Sequence, residues 1–418
     1  MIVNKFGGAS VKNAAAIRRL AAILRNQDND TVIVVSAMGK TTNKLEKIVA
    51  LKTEGDDSFN EALISLMNEH TETLKELFPS GTNPVYDVVI GVFSGLSKTL
   101  VEYNGDDYDF LYDQVVSAGE ILSTRIVSAY LSSEGIRNRW IDIRRHLITD
   151  SSYREAKVEK DITEKNLNDA FNFSQSKIFV TQGFIGSDKD GNTTTLGREG
   201  SDYTAALIAN ILDAEKVILW KDVDGIYNAD PKLFDDAIIL KEISYHEAIE
   251  LSFYGAKVIH PKTVKPVQNK NIPLFVRNFN DTDSEGSVIR KIENFKSSFP
   301  VFIIKNAQTL LSVTPKDYSF VVEKHLSEIF TILNKQKIKV NLMQNSAVSF
   351  SVCCDKISHR KLNILLSGLK ENFKILYNDN LELITIRHYT EESIKKLTAG
   401  RRILMEQRSR NTVQFVAE

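Results

Sequence analysis

The chain has 418 residues, 42% of them hydrophobic and 26% charged, with a formal net charge of −1. That length supports two or three domains with buried cores, and the composition excludes a disordered or fibrous chain. The near-neutral balance gives no global basic field, and no apolar run reaches the ~18–20 residues of a membrane helix, so neither nucleic acid nor a bilayer is an expected partner.

Charge is unevenly spread, with 18 Lys and Arg against 11 Asp and Glu from Phe299 onward. The basic tail lacks interleaved aromatics, which weakens an RNA-binding reading. The two cysteines, Cys353 and Cys354, are adjacent in a strand pattern and should face opposite ways. They form no disulfide framework, the seven histidines show no zinc spacing, and no metal-ligand set is expected. The chain enters a strand at once with no signal region, so a cytoplasmic location is expected.

In chain order, Met1–Phe6 and Thr31–Ala37 read as buried strands flanking a helix with apolar Ile17, Leu20, Ala21 and Leu24. Strand, glycine turn, helix, strand begins a parallel α/β sheet. A long helical region follows, from Asn43 to Ser132. Strands are expected near Trp140–Ile143, Lys177–Thr181 and Lys216–Trp220, with a hairpin tip at Asp188–Asn192 and the sheet's last strand at Asn271–Arg277. The polar run Asn278–Gly286 marks a boundary. Beyond it, Leu310–Thr314, Phe320–Leu333, Lys339–Met343, Val348–Cys353, Leu362–Leu369 and Leu381–Arg387 give a βαββαβ order, that of a ferredoxin-like unit. Two further strands, Arg402–Met405 and Thr412–Val416, suggest part of a second such unit.

The most informative segment is Thr193–Ala206, where hydroxyl residues and two glycines present Arg198 and Asp202 at the start of an apolar helix. Glycines admit close backbone approach, and a helix start offers free N–H donors to an anion. Arg198 suits a carboxylate or phosphate oxygen pair. A second glycine turn, Gly7-Gly8, follows Lys5 at the end of the first strand, the edge where open α/β sheets bind ligands. Lys5 is either a phosphoryl-neutralising group or a surface lysine beside a common turn. Thr42 and Asn43 either hold substrate or cap the next helix. Glu120, in Ser117-Ala118-Gly119-Glu120, reads as a mid-helix carboxylate, solvated or in a site. Asp202 either complements the helix dipole or orients lysines around phosphates, and the surrounding glycines favour the latter. Lys221–Lys232, with Asp222 and Tyr227, either frames a nucleotide or is a polar loop, and Lys257 follows a glycine between two helices. Neither a GxxxxGK[ST] loop nor a GxGxxG dinucleotide turn is present. A carboxylate acceptor, already ionised, needs no general base.

Together these segments resemble the aspartate kinases of the amino-acid kinase family. Lys5–Ser10 is similar to KFGGTS, Ser117–Glu120 to (S/A)xGE, Phe184–Gly186 with Thr193–Ala206 to GF…TTTLGRGGSDYTA, Asp222–Pro231 to DVxGIYxxDP, and Tyr254–Pro261 to (F/Y)GAKVxHP. The resemblance implies a three-layer α/β sandwich with a mostly parallel central sheet over residues 1–290. An α+β ferredoxin-like ACT region over 300–418 would follow, with one full unit at about 305–378 and an abbreviated one at about 380–418. It implies transfer of the ATP γ-phosphoryl to L-aspartate, with Mg²⁺ on the phosphates, at the entry to lysine, threonine and methionine biosynthesis. Under it Lys5, Gly7 and Gly8 contact the phosphoryl and Asp202 organises the lysines. Arg198 clamps the substrate α-carboxylate, Glu120 takes its ammonium, and Thr42 and Ser201 add hydrogen bonds. Lys221, Asp222, Tyr227, Lys232 and Lys257 line the nucleotide site.

A homodimer through the ACT region is implied, with lysine or threonine as candidate effector and no homoserine dehydrogenase domain following. The chain departs from the pattern at Ala9 for Thr, Glu199 for Gly, Lys221 for Thr, and Glu323-Lys324-His325 in the effector region. The rival readings are a kinase of the same fold acting on another small acid and a catalytically silent amino-acid sensor.

Overall fold

The computed structural model describes residues 1–25, 27–256, 259–295, 297–317 and 319–418. The chain divides into two compact units, one of residues 1–226, 239–249 and 258–293, the other of 227–238, 250–257 and 294–418.

The first unit is built on an eight-stranded sheet. Its strands are β1 (Ile2–Phe6), β2 (Thr31–Val35), β3 (Arg139–Ile141), β4 (Ile178–Gln182), β7 (Lys216–Lys221), β8 (Glu242–Ser244), β9 (Leu274–Asn278) and β10 (Ser287–Arg290), with β5 (Ile185–Ser187) and β6 (Thr193–Thr195) forming a separate hairpin. The order is β3-β4-β2-β1-β7-β9-β10-β8, parallel except where β10 runs against β9. Because β2 is buried on both faces, its alternation divides the core: Ile33 and Val35 point to one layer, Val32 and Val34 to the other. The first layer holds α1 (Ala14–Arg25), α2 (Thr41–Thr53), α3 (Phe59–Leu77), α4 (Val85–Glu102), α5 (Tyr108–Val116) and α6 (Ala118–Ser133). The second holds α7 (Lys160–Ala170), α8 (Gly200–Ile211), the start of α9 (Tyr245–Tyr254) and α10 (Pro261–Asn269). This is the expected three-layer class.

Two details differ from the sequence expectation. The long helical region is five helices, and α5 ends at Val116 just before α6 begins, so Glu120 lies in the first turn of a helix rather than mid-helix. The strand at Leu274–Asn278 is not the sheet's last. Gly286, at φ +69°, turns the chain back and β10 pairs antiparallel with β9. A Cβ on Gly286 would stand 2.1 Å from the Val276 carbonyl oxygen, so the return requires glycine.

The second unit carries a six-stranded antiparallel sheet, β12-β13-β11-β14-β16-β15. Its strands are β11 (Val301–Pro315), β12 (Val340–Asn345), β13 (Phe350–Asp355), β14 (Phe373–Arg387), β15 (Ile403–Arg408) and β16 (Thr412–Ala417), with helices α11 (Glu323–Lys335), α12 (His359–Leu369) and α13 (Glu391–Thr398). It is the antiparallel ACT-type region expected. Both β11 and β14 are fifteen residues long and pair along their whole length, with bulges between Lys305 and Leu310. The Asn378-Asp379-Asn380 stretch reads as a turn, yet Asn380 takes φ +60° and the strand runs on. Leu381–Arg387 is therefore the far half of β14. The short second part carries one helix, α13, opened by a Thr390 cap and burying Ile394 and Leu397. Cys353 and Cys354 face different cores, as their adjacency in a strand requires.

Candidate active site

The carboxyl ends of β1, β2, β4 and β7 gather the candidate residues of the first unit. Lys5 is the fourth residue of β1 and is buried. After β1 the chain forms a tight turn, Gly8–Val11, pinned to β7 by Ser10 Oγ donating to the Trp220 carbonyl at 3.3 Å. Gly39 N–H donates to the Gly8 carbonyl, 3.0 Å. A Cβ on Gly8 would lie 2.8 Å from the Gly39 carbonyl oxygen and 2.9 Å from that of Ala37, so the turns after β1 and β2 touch through backbone alone.

Asp202, in the first turn of α8 and buried, joins two lysines. Lys5 Nζ lies 2.5 Å from Oδ1 and Lys221 Nζ, at the end of β7, lies 3.0 Å from Oδ2. Burial alone would push the Asp202 carboxyl up, but Lys5 and then Lys221 outweigh it and hold the group well below the usual carboxylate range. For Lys221, burial lowers its affinity for the proton, while Asp202 and then Glu199 raise it above the ordinary lysine value.

Glu120 accepts a hydrogen bond on Oε1 from the Ala37 N–H at 3.1 Å, and its buried Oε2 has no hydrogen-bond partner. Burial pushes its pKa up to about 8 against the opposing pull of the Ala37 N–H and Lys5. Gly119 admits this approach, because a Cβ there would sit 2.8 Å from the Ala37 methyl. Ser201 is buried, with its Cβ 2.5 Å from where a Gly183 Cβ would stand.

The structure thus brings Lys5, Gly7, Gly8, Glu120, Ser201, Asp202 and Lys221 to one edge of one sheet. Thr42 is half-buried in the first turn of α2, whose cap position is Lys40 without a side-chain cap, so Thr42 is not the helix cap. Arg198 is exposed in the turn before α8. Asp222 is exposed just beyond β7. Tyr227 and Lys232 belong to the second unit, half-buried and exposed respectively. Lys257 lies outside the described residues.

Sequence reasoning missed Gly183, Ala37 and Asp113. Gly183 had a readable signal, a glycine directly after a strand. Ala37 acts through its backbone and has none. Asp113, the second of two aspartates in α5, is fully buried and accepts from the Thr195 N–H and hydroxyl, both at 2.7 Å, and from the Arg154 N–H at 3.0 Å. It ties α5 to the hairpin strand that leads into the Arg198 turn.

The amino acid kinase family profile matches residues 1–278. The chain belongs to that family. It is 33% identical over 361 residues to the lysine-sensitive aspartokinase 3 of Escherichia coli, covering 85% of this chain and 78% of that protein. It is 30% identical over 383 residues to the bifunctional aspartokinase/homoserine dehydrogenase 2 of Arabidopsis thaliana, matching 89% of this chain but only 42% of the plant protein. The chain therefore spans less than half the length of such bifunctional relatives. Among solved structures, E. coli aspartokinase III in complex with aspartate and ADP superposes with a TM-score of 0.83 at 27% identity, covering 100% of this chain and 96% of that one.

Proposed function

We propose that this chain is an aspartate kinase: it transfers the γ-phosphoryl group of ATP to the β-carboxylate of L-aspartate, giving 4-phospho-L-aspartate and ADP. The reading is carried by the Lys5–Asp202–Lys221 array at the carboxyl edge of the sheet, its Lys5 and Asp202 buried and Lys221 half-buried, beside Glu120 with one carboxylate oxygen unpartnered. Similarity to aspartokinases along most of the chain supports it.

A substrate carboxylate oxygen forms the new bond to phosphorus as the bridging oxygen leaves with ADP, and no proton need be removed. Positioning and charge neutralisation are then the whole of catalysis. Lys5, ordered by Asp202, meets the charge on the transferring phosphoryl, with the Gly7-Gly8 backbone alongside. Glu120 Oε2 receives the substrate ammonium, Arg198 the α-carboxylate, and Thr42 and Ser201 add hydrogen bonds. The resemblance assigns Lys221, Asp222, Tyr227, Lys232 and Lys257 to the nucleotide.

Mg²⁺ fits such a site only as a partner of the ATP phosphates. Asp202 already carries a lysine at each oxygen, and among the described residues no three His, Cys, Asp or Glu side chains group as a metal cage. When bound, the ion would add charge neutralisation to that of the lysines.

The resemblance further supports residues 1–290 as the catalytic domain and 300–418 as a regulatory region through which a homodimer forms. Lysine or threonine is the effector class, and the cytoplasm is the site of action. Among the described residues no helix is long and apolar enough to cross a membrane. The deciding experiment traps the acyl phosphate as a hydroxamate with aspartate, glutamate and N-acetylglutamate in parallel, each with and without lysine or threonine. Signal with aspartate alone is expected. Signal only with another acid, or none with any, overturns the reading.

A further inference from the structure

Lys262 takes no part in the chemistry above, yet its ammonium touches both ends of the segment that carries Arg198, Ser201 and Asp202. It is the second residue of α10, where Pro261 opens the helix and His260 accepts the Lys262 N–H at 3.2 Å, so its backbone is well fixed. Its Nζ donates to the Leu196 carbonyl at 2.8 Å and lies over the Tyr203 ring, 4.8 Å from the centroid. Lys265, one turn further along the same helix, is exposed, whereas Lys262 is half-buried. Among the described residues no carboxylate forms an ion pair with Lys262. Burial lowers its affinity for the proton, and Glu155 opposes this from beyond ion-pair reach. A carbonyl dipole and a ring face are what the ammonium has in exchange for water.

The two ends of that segment are held unequally. Tyr203 lies within α8 and its N–H donates to the Glu199 carbonyl at 3.1 Å, so the helix itself fixes that end. The other end is a single turn, with Gly197 at φ +74° and the Gly200 N–H donating to the Gly197 carbonyl at 3.0 Å. Leu196 enters the turn with its N–H on the Phe184 carbonyl, 2.8 Å, and its own carbonyl is taken by Lys262. A bond from an ammonium is charge-assisted, and the ring beneath it adds a cation–π contact. Resting on the aspartate-kinase reading, we infer that Lys262 is a positioning residue for Arg198: its ammonium staples the Leu196 carbonyl to the Tyr203 ring and so sets the turn from which Arg198 meets the substrate α-carboxylate. Lys262 itself touches no substrate. Arg198 is exposed, so the direction of its side chain depends on the backbone that bears it.

The test is steady-state kinetics of K262M in the full chain, with a double-mutant cycle against R198M. Methionine keeps an unbranched apolar stem and removes the charge and the donors. K262M should lower kcat/KM for aspartate about tenfold through KM, the effect of one lost bond to a charged group, with kcat and the ATP KM within about twofold of the parent. In an R198M background the same substitution should change kcat/KM by less than about twofold, since no clamp is left to misplace. K262Q, uncharged and one bond shorter, gives the same reading should K262M not fold. A lysine serving the fold alone would lower the melting temperature and leave the aspartate KM as it was. That result, an ATP KM that rises equally, or an equal loss with and without Arg198 overturns the inference. Should the parent protein show no aspartate-dependent turnover, the functional reading fails while the staple remains decidable. Hydrogen exchange at the Leu196 and Gly200 amides should then quicken at least about tenfold in K262M, with the amides of β1 unchanged. Unaltered exchange at both overturns the staple.

Discussion

Glu120 and Ala37 meet through one hydrogen bond, the Ala37 N–H donating to Oε1 at 3.1 Å, and the second carboxylate oxygen is left buried without a partner. A buried acid with a free oxygen suits an incoming ammonium. Burial raises the Glu120 pKa from 4.5 to about 8, so in the unliganded protein it is mostly protonated at neutral pH. A cationic ligand drives it to ionise and expel that proton.

Aspartate binding should therefore release a proton at pH 7, read as a buffer-dependent binding enthalpy in calorimetry, and affinity should rise from pH 6 to 8. E120Q should abolish the release and raise the aspartate KM about 10- to 100-fold, the worth of a hydrogen bond to a charged group. The linkage to stability has a fixed sign. The raised folded pKa stabilises the protein at low pH, and that contribution is lost as pH rises from 4.5 through about 8. Parent stability should fall relative to E120Q across that window. Proton release unchanged in E120Q would remove Glu120 from the ammonium site.

Asp202 titrates the other way. D202N leaves two lysine ammoniums beside a neutral amide and should lower stability by about 3–5 kcal/mol, the usual result of breaking a buried ion pair from one side. The depressed folded pKa means this stabilisation is present above 3.8 and is lost as pH falls below it. Urea unfolding of parent and variant should show a constant gap from pH 5 to 8, closing in acid. A gap that did not begin to narrow as pH falls below 3.8 would contradict the ion-pair account. Turnover in D202N should fall at least about 10³-fold, since the lysines lose their orienting anion.

Much of this site was legible because its chemistry is carried by residue types with few other reasons to cluster. Glycines at Gly7 and Gly8, Lys5 at a strand end and Asp202 at a helix start stand out in the sequence, and the structure sets them at one edge of one sheet. The sheet was legible for a similar reason, since doubly buried strands such as Thr31–Val35 are short apolar runs between glycine turns. Three features were hidden. The break between α5 and α6 falls at Ser117, while the nearby Gly119 lies inside the first turn of α6 rather than at the break, so Glu120 looked mid-helical. The continuity of β14 depends on Asn380 accepting a left-handed conformation opposite the β11 bulge, a tertiary effect that local turn propensity opposes. Ala37 acts through a backbone N–H, which no side-chain pattern reports.

Gly8 tests the contact between the first two turns. Both atoms that an added Cβ would strike are backbone carbonyl oxygens, of Gly39 and Ala37, and neither can rotate aside. G8A should force the turns apart, shifting Ala37 from Glu120 and the Gly8 N–H from its place, with kcat/KM down about 100-fold, the usual effect of misplacement near 1 Å. Far-ultraviolet circular dichroism should remain that of the parent, because the strands themselves are untouched. Near-parental activity in G8A would mean the turns yield freely and do not set the site's geometry.

Asp113 carries the last expectation, about a residue that touches no proposed substrate. It accepts from both Thr195 groups and from the Arg154 backbone, although burial pushes its pKa up to about 6. D113N can keep its oxygen at the Oδ2 position, where the Thr195 and Arg154 N–H groups still donate, and turn its amine to the Thr195 hydroxyl, which must then accept instead of donate. The cost, two charge-assisted bonds made neutral, should be about 1–2 kcal/mol by denaturant unfolding at pH 7. The sign with pH again follows from the shift. A folded pKa raised from 3.8 to about 6 makes the parent's advantage greatest in acid and smaller as pH rises through 6. The difference between parent and D113N should therefore narrow from pH 4 to pH 7 and then stay level. A difference that widened over that range would mean the ionised carboxylate, with its three donors, outweighs the burial that opposes it.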